Sequence, residues 1–253
     1  MERKWKNSFM TVALGAALSL APAIASATTT NDTSIQSDVT RQLQKSSDFK
    51  SVQSSVADGV VTLTGTVDTY KQKLDAEKKA KKADHVSGVR DLVQVSTTVP
   101  DADLRTTLAK KLAYDRVGYG NVWNLLTVDV NDGQVTLGGE VRTDTDRSSA
   151  FDEVKNVKGV KNVVNNIKVA PASPYDDGLR VRLARAIYRD PVLSRYAMDP
   201  QAPIRIVVDN GHVGLYGVVE NKMDKQIAGM RANQVFGAFT VENHLVAAND
   251  ATK

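Results

Sequence analysis

The sequence predicts an α+β protein built from three tandem small two-layer domains. Each is expected to run helix, strand, strand, helix, strand, with two helices on one face of a mixed three-stranded sheet. Three observations lead there. One motif occurs three times: Asp58-Gly59-Val60-Val61-Thr62-Leu63-Thr64-Gly65, Asp132-Gly133-Gln134-Val135-Thr136-Leu137-Gly138-Gly139 and Asn210-Gly211-His212-Val213-Gly214-Leu215-Tyr216-Gly217. Each copy follows an apolar stripe at helical spacing: Ile35, Val39 and Leu43; Leu104, Leu108 and Leu112; Leu179, Leu183 and Ile187. Gly65 and Gly139 stand 74 residues apart, and Gly139 and Gly217 stand 78 apart. Units of that length are small domains with modest cores of their own, not solenoid repeats.

The hairpin anchors each unit. Asp-Gly or Asn-Gly between alternating apolar residues signals a type I′ turn, whose two central residues both need φ > 0. Gly59, Gly133 and Gly211 are the turn glycines. A two-residue loop sets the register. Val56 then faces Val61, and Ser54 faces Leu63. Val130 faces Val135, and Val128 faces Leu137. Val208 faces Val213, and Ile206 faces Leu215. Side chains alternate along a strand, so these pairs share one apolar face, while Thr62, Thr64, Thr136 and Arg205 take the other. Each hairpin therefore needs a cover. Gly65, Gly139 and Gly217 fall opposite Val52, Leu126 and Ile204 on the buried face. A glycine there admits a close backbone or a bend.

In chain order, Arg3, Lys4 and Lys6 precede a mostly apolar run over 9–20, and Ala23-Ile24-Ala25 and Ala25-Ser26-Ala27 offer small-x-small cleavage sites. That is a secretory signal peptide over 1–27. Its apolar core, 12–20, falls short of the ~20 residues a spanning helix needs. The first unit covers 31–99. Its second helix is expected over 70–83, with Leu74 inward, and Val86-Ser87-Gly88-Val89 is expected to end it. A strand through Leu92, Val93 and Val95 closes the unit. The lysines of that helix are interleaved with Asp75, Glu77 and Asp84, which marks a solvated face, not a nucleic-acid patch. The second unit covers 101–170, with Asp101 or Asp103 capping its first helix and Phe151 and Val154 on its second. Pro171-Ala172-Ser173-Pro174 marks a linker over 171–176. The third unit covers 177–247. Its connector holds Pro191, Pro200 and Pro203, and its second helix carries Met223, Ile227 and Met230.

Composition narrows the function. The chain has 253 residues, a formal net charge of +4 and no cysteine. Disulfides, thiolate metal sites and a cysteine nucleophile are thereby excluded. Without 1–27 the charge falls to +2, unlike a strongly basic nucleic-acid binder. No phosphate-binding loop, Gly-x-Ser-x-Gly or His-Glu-x-x-His is present. His85, His212 and His244 have no evident partners for a metal or triad site. Asp144 and Asp146 lack further oxygen ligands for calcium and fit a helix N-terminus.

The motif Asp/Asn-Gly-x-Val-x-Leu-x-Gly-x-Val, then a helix, then Val-x-Gly-Val and an Asn-containing strand, resembles the BON domain (bacterial OsmY and nodulation). The last part reads Val160-Lys161-Asn162-Val163-Val164-Asn165-Asn166-Ile167 in the second unit and Phe239-Thr240-Val241-Glu242-Asn243-His244-Leu245 in the third. The first unit departs, with Gln94 and Ser96 where the others have Asn and an aliphatic residue. Its interval from Gly65 to Gly88 is also three residues longer, which suggests one more turn in its second helix. The resemblance implies an exported, often periplasmic binding module. It further implies an association with osmotic and envelope stress and contact with phospholipid surfaces. It carries over no catalytic residue, cofactor or metal. The implied partners are an anionic phospholipid surface or envelope proteins, with a chaperone-like or scaffold role as the alternative.

One constellation suits an anionic surface. Arg182, Arg185 and Arg189 lie at i, i+3 and i+7 on the third unit's first helix, off the Leu183 and Ile187 stripe. Cations so placed can meet lipid head groups at ~1 kcal/mol each. The connector aromatics Tyr119, Trp123, Tyr188 and Tyr196 suit either interfacial anchors or plugs for small cores. Export is directly testable. N-terminal sequencing of protein taken from the native envelope should begin at Ser26 or Thr28, and a chain retaining Met1 in the inner membrane would refute a cleaved leader.

Overall fold

The computed structural model describes residues 30–114, 120–199 and 203–248. The leader over 1–27, with its cleavage sites, lies outside them, as does Tyr119. The first unit comprises helix α1 (Thr30–Gln44), strands β1 (Val52–Ala57) and β2 (Val60–Val67), helix α2 (Tyr70–Ala80), and strands β3 (Gly88–Asp91) and β4 (Gln94–Val95). The second repeats this order with α3 (Asp101–Tyr114), β5 (Leu125–Asn131), β6 (Gln134–Val141), α4 (Asp144–Lys155), β7 (Asn162–Asn165) and β8 (Lys168–Val169). The third has α5 (Pro174–Tyr188), β9 (Ile204–Asp209), β10 (His212–Val219), α6 (Lys222–Asn233), β11 (Thr240–Asn243) and β12 (Val246–Ala247). Short 3-10 turns at Ser47–Phe49, Asn121–Trp123 and Ser194–Met198 occupy the helix-to-strand connectors.

The hairpins take the expected register, including Val56 with Val61, Val130 with Val135 and Val208 with Val213. Both turn residues are left-handed in each copy: Asp58 and Gly59 at φ 53° and 74°, Asp132 and Gly133 at 48° and 71°, Asn210 and Gly211 at 48° and 79°. Gly65, Gly139 and Gly217 also have positive φ. A Cβ at these positions would stand 1.9, 2.1 and 1.8 Å from the carbonyl oxygens of Ser51, Leu125 and Pro203. The close approach of backbone is the reason for glycine there.

The expected single closing strand is in two pieces, so each sheet has four strands. Both pieces lie parallel on the same edge of the central strand, as in β3 and β4 against β2. The break has a side-chain cause. Asp91, Asn165 and Asn243 end the first piece, and their Oδ1 atoms accept from the amides of Val93, Ile167 and Leu245 at 2.9, 3.2 and 3.2 Å. This local bond turns the chain out of the ladder and drops Val93, Ile167 and Leu245 into the core. Burial pushes the Asp91 carboxyl above its ordinary range, a cost the neutral amides of Asn165 and Asn243 avoid.

Three cores result, each formed by the helical stripe, the apolar hairpin face and the second helix. The stripes are buried as expected. On the second helices Leu74, expected inward, is only half-buried, while Met223 and Met230 are 66 % and 57 % exposed. The fully buried contacts are small, namely Ala76 and Ala80, Ala150 and Val154, Ala228 and Ala232. Ala76, Ala150 and Ala228 stand eleven residues after Gly65, Gly139 and Gly217 respectively. Alanine lets the helix lie close on the sheet.

The first unit carries no insertion. Its second helix, α2, has 11 residues against 12 in α4 and in α6. The turn after the helix is left-handed at Gly159 and Gly237, and the matching residue is His85, at φ 64°. Gly88 lies three residues beyond His85 and one beyond the matching backbone bond, in which Ser87 donates to Gly59 as Lys161 does to Gly133 and Phe239 to Gly211. Asp91 and Val93, not Gln94 and Ser96, match Asn165 and Ile167. A histidine Cβ is strained in this region. His85→Gly should therefore stabilise the first unit by about 1 kcal/mol, read as slower amide exchange in β2 and β3. Faster exchange there would contradict the assignment of this turn.

Candidate functional site

Helix α5 begins with Ser173 as its cap, whose Oγ accepts from the Asp176 amide at 3.2 Å, and Pro174 at its first position. Burial of Leu179, Leu183 and Ile187 fixes the roll of the helix. Arg182, Arg185 and Arg189 are thereby exposed. Among the described residues none of the three makes an ion pair. Arg189 is the C-cap residue, its amide donating to the Arg185 carbonyl at 3.2 Å. From Arg182 to Arg189 the rise is about 10 Å, so the three cations form a strip, not a cluster. Arg180 is different: it is buried, with its guanidinium donating to Asp177 at 2.8 Å and to the Val208 carbonyl at 2.5 Å.

An acid at the start of each first helix was read only as a cap, or not at all. Asp32, Asp101 and Asp176 each grip the neighbouring hairpin turn. Asp32 accepts from Asp58 and Gly59 amides at 3.2 and 2.8 Å. Asp101 accepts from Asp132 and Gly133 at 2.7 and 3.0 Å. Asp176 accepts from Asn210 and Gly211 at 3.1 and 2.9 Å. The Gly133 amide, then that of Asp132, holds the Asp101 carboxyl below the ordinary carboxylate range. One turn on, Gln36, Arg105 and Arg180 each donate to a carbonyl of the same hairpin, at Ser54, Val130 and Val208. The signal was present: an aspartate stands three residues before the first stripe residue in all three units.

Among the described residues, the connector aromatics Trp123, Tyr188 and Tyr196 make packing and hydrogen-bond contacts within the fold. Trp123 and Val122 of the second unit pack against the third unit's core, and Arg205 on β9 donates to the Asn121 carbonyl. The Tyr188 hydroxyl donates to the Ile204 carbonyl at 2.5 Å, and burial drives its pKa far upward. Tyr196 donates to buried Asp224 at 2.5 Å and accepts from the Glu220 amide at 2.8 Å. Arg195 also pairs with Asp224, and Arg231 with buried Asp190 at 2.7 Å. These bonds tie the long third connector to α6. Between the first two units, Tyr70 meets Phe151 edge-on at 6.5 Å.

The three histidines do not converge. His85 is a turn residue, His212 Nδ1 lies 2.7 Å from Thr240 Oγ1, and His244 stacks on Tyr216 and approaches Glu242 at 3.0 Å. Among the described residues no group of three or more His, Asp or Glu is placed to hold a metal ion. Asp144 and Asp146 lie in the first turn of α4, where Asp146 and Thr143 form a capping box. A groove of about 620 Å³ beside α1, bordered by Thr40, Leu43, Phe49 and Ser54, contains no histidine or acid.

Fold and surface together define a tandem array of small α+β domains with an exposed cationic helix on the last. The chain belongs to the BON family: the BON domain model matches residues 31–97, 100–171 and 176–249. A protein of Anaplasma centrale described as an uncharacterized protein in the gshII 5′ region is 24 % identical over 143 residues, spanning 55 % of this chain and 95 % of that one. Among solved structures, the chain is similar to CdsD, a structural protein of the type III secretion system of Chlamydia trachomatis. The identity is 16 %, over 85 % of this chain and 94 % of that one, with a TM-score of 0.25. The PrgH periplasmic domain is 9 % identical, over 78 % and 95 % of the two chains, with a TM-score of 0.22.

The carboxylate grip is open to test. Asp176→Asn removes the charge that two turn amides share and should cost the third unit about 1–3 kcal/mol, seen in chemical denaturation. For Asp101 the folded pKa lies below the unfolded value of about 4. Its contribution is therefore complete above that value and lost as pH falls through the folded pKa. Amide protection in the second unit should weaken below about pH 4, and in Asp101→Asn that loss with acid should shrink.

Proposed function

We propose that this protein is a non-enzymatic, exported envelope and osmotic-stress module that contacts anionic phospholipid surfaces through its tandem BON domains. The observation that carries the reading is the strip of Arg182, Arg185 and Arg189, exposed and without ion pairs among the described residues. A cation held at the surface of an anionic leaflet contributes about 1 kcal/mol. The leader pattern over 1–27 supports export to the periplasm. No helix among the described residues is long and apolar enough to cross a membrane, so contact would be made from the outside of the bilayer. The reading requires no cofactor.

Arg182→Gln, Arg185→Gln and Arg189→Gln together should weaken binding to vesicles containing phosphatidylglycerol by on the order of a hundredfold, with the melting transition unchanged. Raised salt should reproduce the loss, because exposed charges are screened beyond about 8 Å at physiological ionic strength. Unaltered protein that never sediments with such vesicles, even at low salt, would rule out lipid contact and leave the chaperone-like or protein-scaffold role.

A further inference from the structure

The turn between α6 and β11 differs from its two counterparts in a way the fold does not require. It reads Val235-Phe236-Gly237-Ala238-Phe239. Phe236 is 91 % exposed and Phe239 68 % exposed. The left-handed residues His85, Gly159 and Gly237 align the three turns. The places of Phe236 and Phe239 are then held by Asp84 and Ser87 in the first unit and by Lys158 and Lys161 in the second. The same turn therefore forms with polar side chains at both positions.

The aromatic side chains cannot retreat. Val235 and Ala238 pack against the third core, which forces Phe236 outward between them. The Phe239 amide donates to the Gly211 carbonyl at 2.9 Å. The Tyr175 hydroxyl donates to the Gly237 carbonyl at 2.6 Å, and its ring stacks on Phe239 at 6.1 Å. Arg182 reaches the same turn: a Cβ on Gly237 would stand 3.1 Å from its guanidinium nitrogen. A tip with two large apolar rings in water and, beside it, a cation that makes no ion pair among the described residues has the composition of a membrane-interface element. Its fixed shape means little ordering cost on binding.

We propose that this turn is an aromatic wedge that enters the head-group region of an anionic phospholipid surface, with Phe236 inserted and Arg182 contacting the lipid charge. The proposal rests on the lipid-contact reading and locates its point of entry at the start of α5, one end of the arginine strip. It makes the third unit the membrane-facing one, and it separates an apolar contribution at the tip from the cationic contribution along the helix.

The absence of cysteine from the sequence allows a single labelled site. Phe236→Cys and, as a control at the matching turn, Lys158→Cys are each coupled to an environment-sensitive nitrobenzoxadiazole dye. Vesicles of equal parts phosphatidylcholine and phosphatidylglycerol are added at low salt. The dye at position 236 should shift to the blue and brighten, while the dye at 158 stays water-like. Phe236→Ser should lower vesicle affinity about tenfold, or about 1.4 kcal/mol, with an unchanged melting curve because the ring is exposed. Sedimentation with vesicles while the dye at 236 stays water-like would overturn the wedge and leave the lipid reading standing. Equal shifts at both positions would also overturn it, as general adsorption. Failure to sediment at all would remove both.

Discussion

The carboxylate that joins each first helix to its hairpin turn is the constraint on which the rest depends. A type I′ turn leaves two amides pointing the same way, and the start of a helix attracts negative charge. Asp32, Asp101 and Asp176 satisfy both demands with one side chain. The bond fixes where the helix begins and how it lies on the sheet, and the buried stripe follows from that. It also frees the chain between. The clamp residue and the turn glycine are 27, 32 and 35 residues apart in the three units, yet the geometry is kept. Loop closure costs rise only slowly with length, so the connectors could diverge while the frame did not.

That frame is thin. The second helices touch the sheet through alanine and short aliphatic residues, and the hairpins pass close to neighbouring backbone at Gly65, Gly139 and Gly217. What varies among units lies outside the frame, in the connectors and at the turn ends. The second connector carries Trp123 into the next unit, the third is secured by Asp190 and Asp224, and the third turn carries phenylalanine where the others carry polar residues. Specific behaviour is written on these margins.

The parts legible in the sequence were those set by local rules. The hairpin register followed from Asp-Gly and Asn-Gly alone, because a two-residue turn leaves no freedom to slip. The helical stripes were legible because three large aliphatic residues recur at one spacing. The contact face of the second helices was less legible, since Met223 and Met230 outrank alanine in apolarity while Ala228 and Ala232 form the contact. Close packing selects for size as well as for hydrophobicity. In the first unit Gly88 drew the eye to the wrong place, because histidine occupies the left-handed position that glycine holds elsewhere. The clamps join residues far apart in sequence and need the fold to become visible. On the arginine strip, the sequence placed the side chains correctly on the open flank of α5. It was silent on the aromatic turn beside them, which comes from a segment some fifty residues away.

The packing between units changes how repetition is to be understood. Tandem weak sites on flexible linkers gain by effective concentration, and that holds when each unit can reorient. Here Val99 of the first unit's tail packs against the second core, and Trp123 of the second unit packs against the third. Arg142 and Asp177 add an ion pair across the second junction at 2.8 Å, worth little by itself at an exposed site. Apolar packing is therefore the main tie. Under the proposed lipid contact, units packed in this way would not sample separate sites on the surface. Their gain comes from holding one unit's face in a fixed attitude relative to the others. Under the proposed lipid contact, a single distinctive tip on the third unit would suffice, with the first two units orienting and extending it.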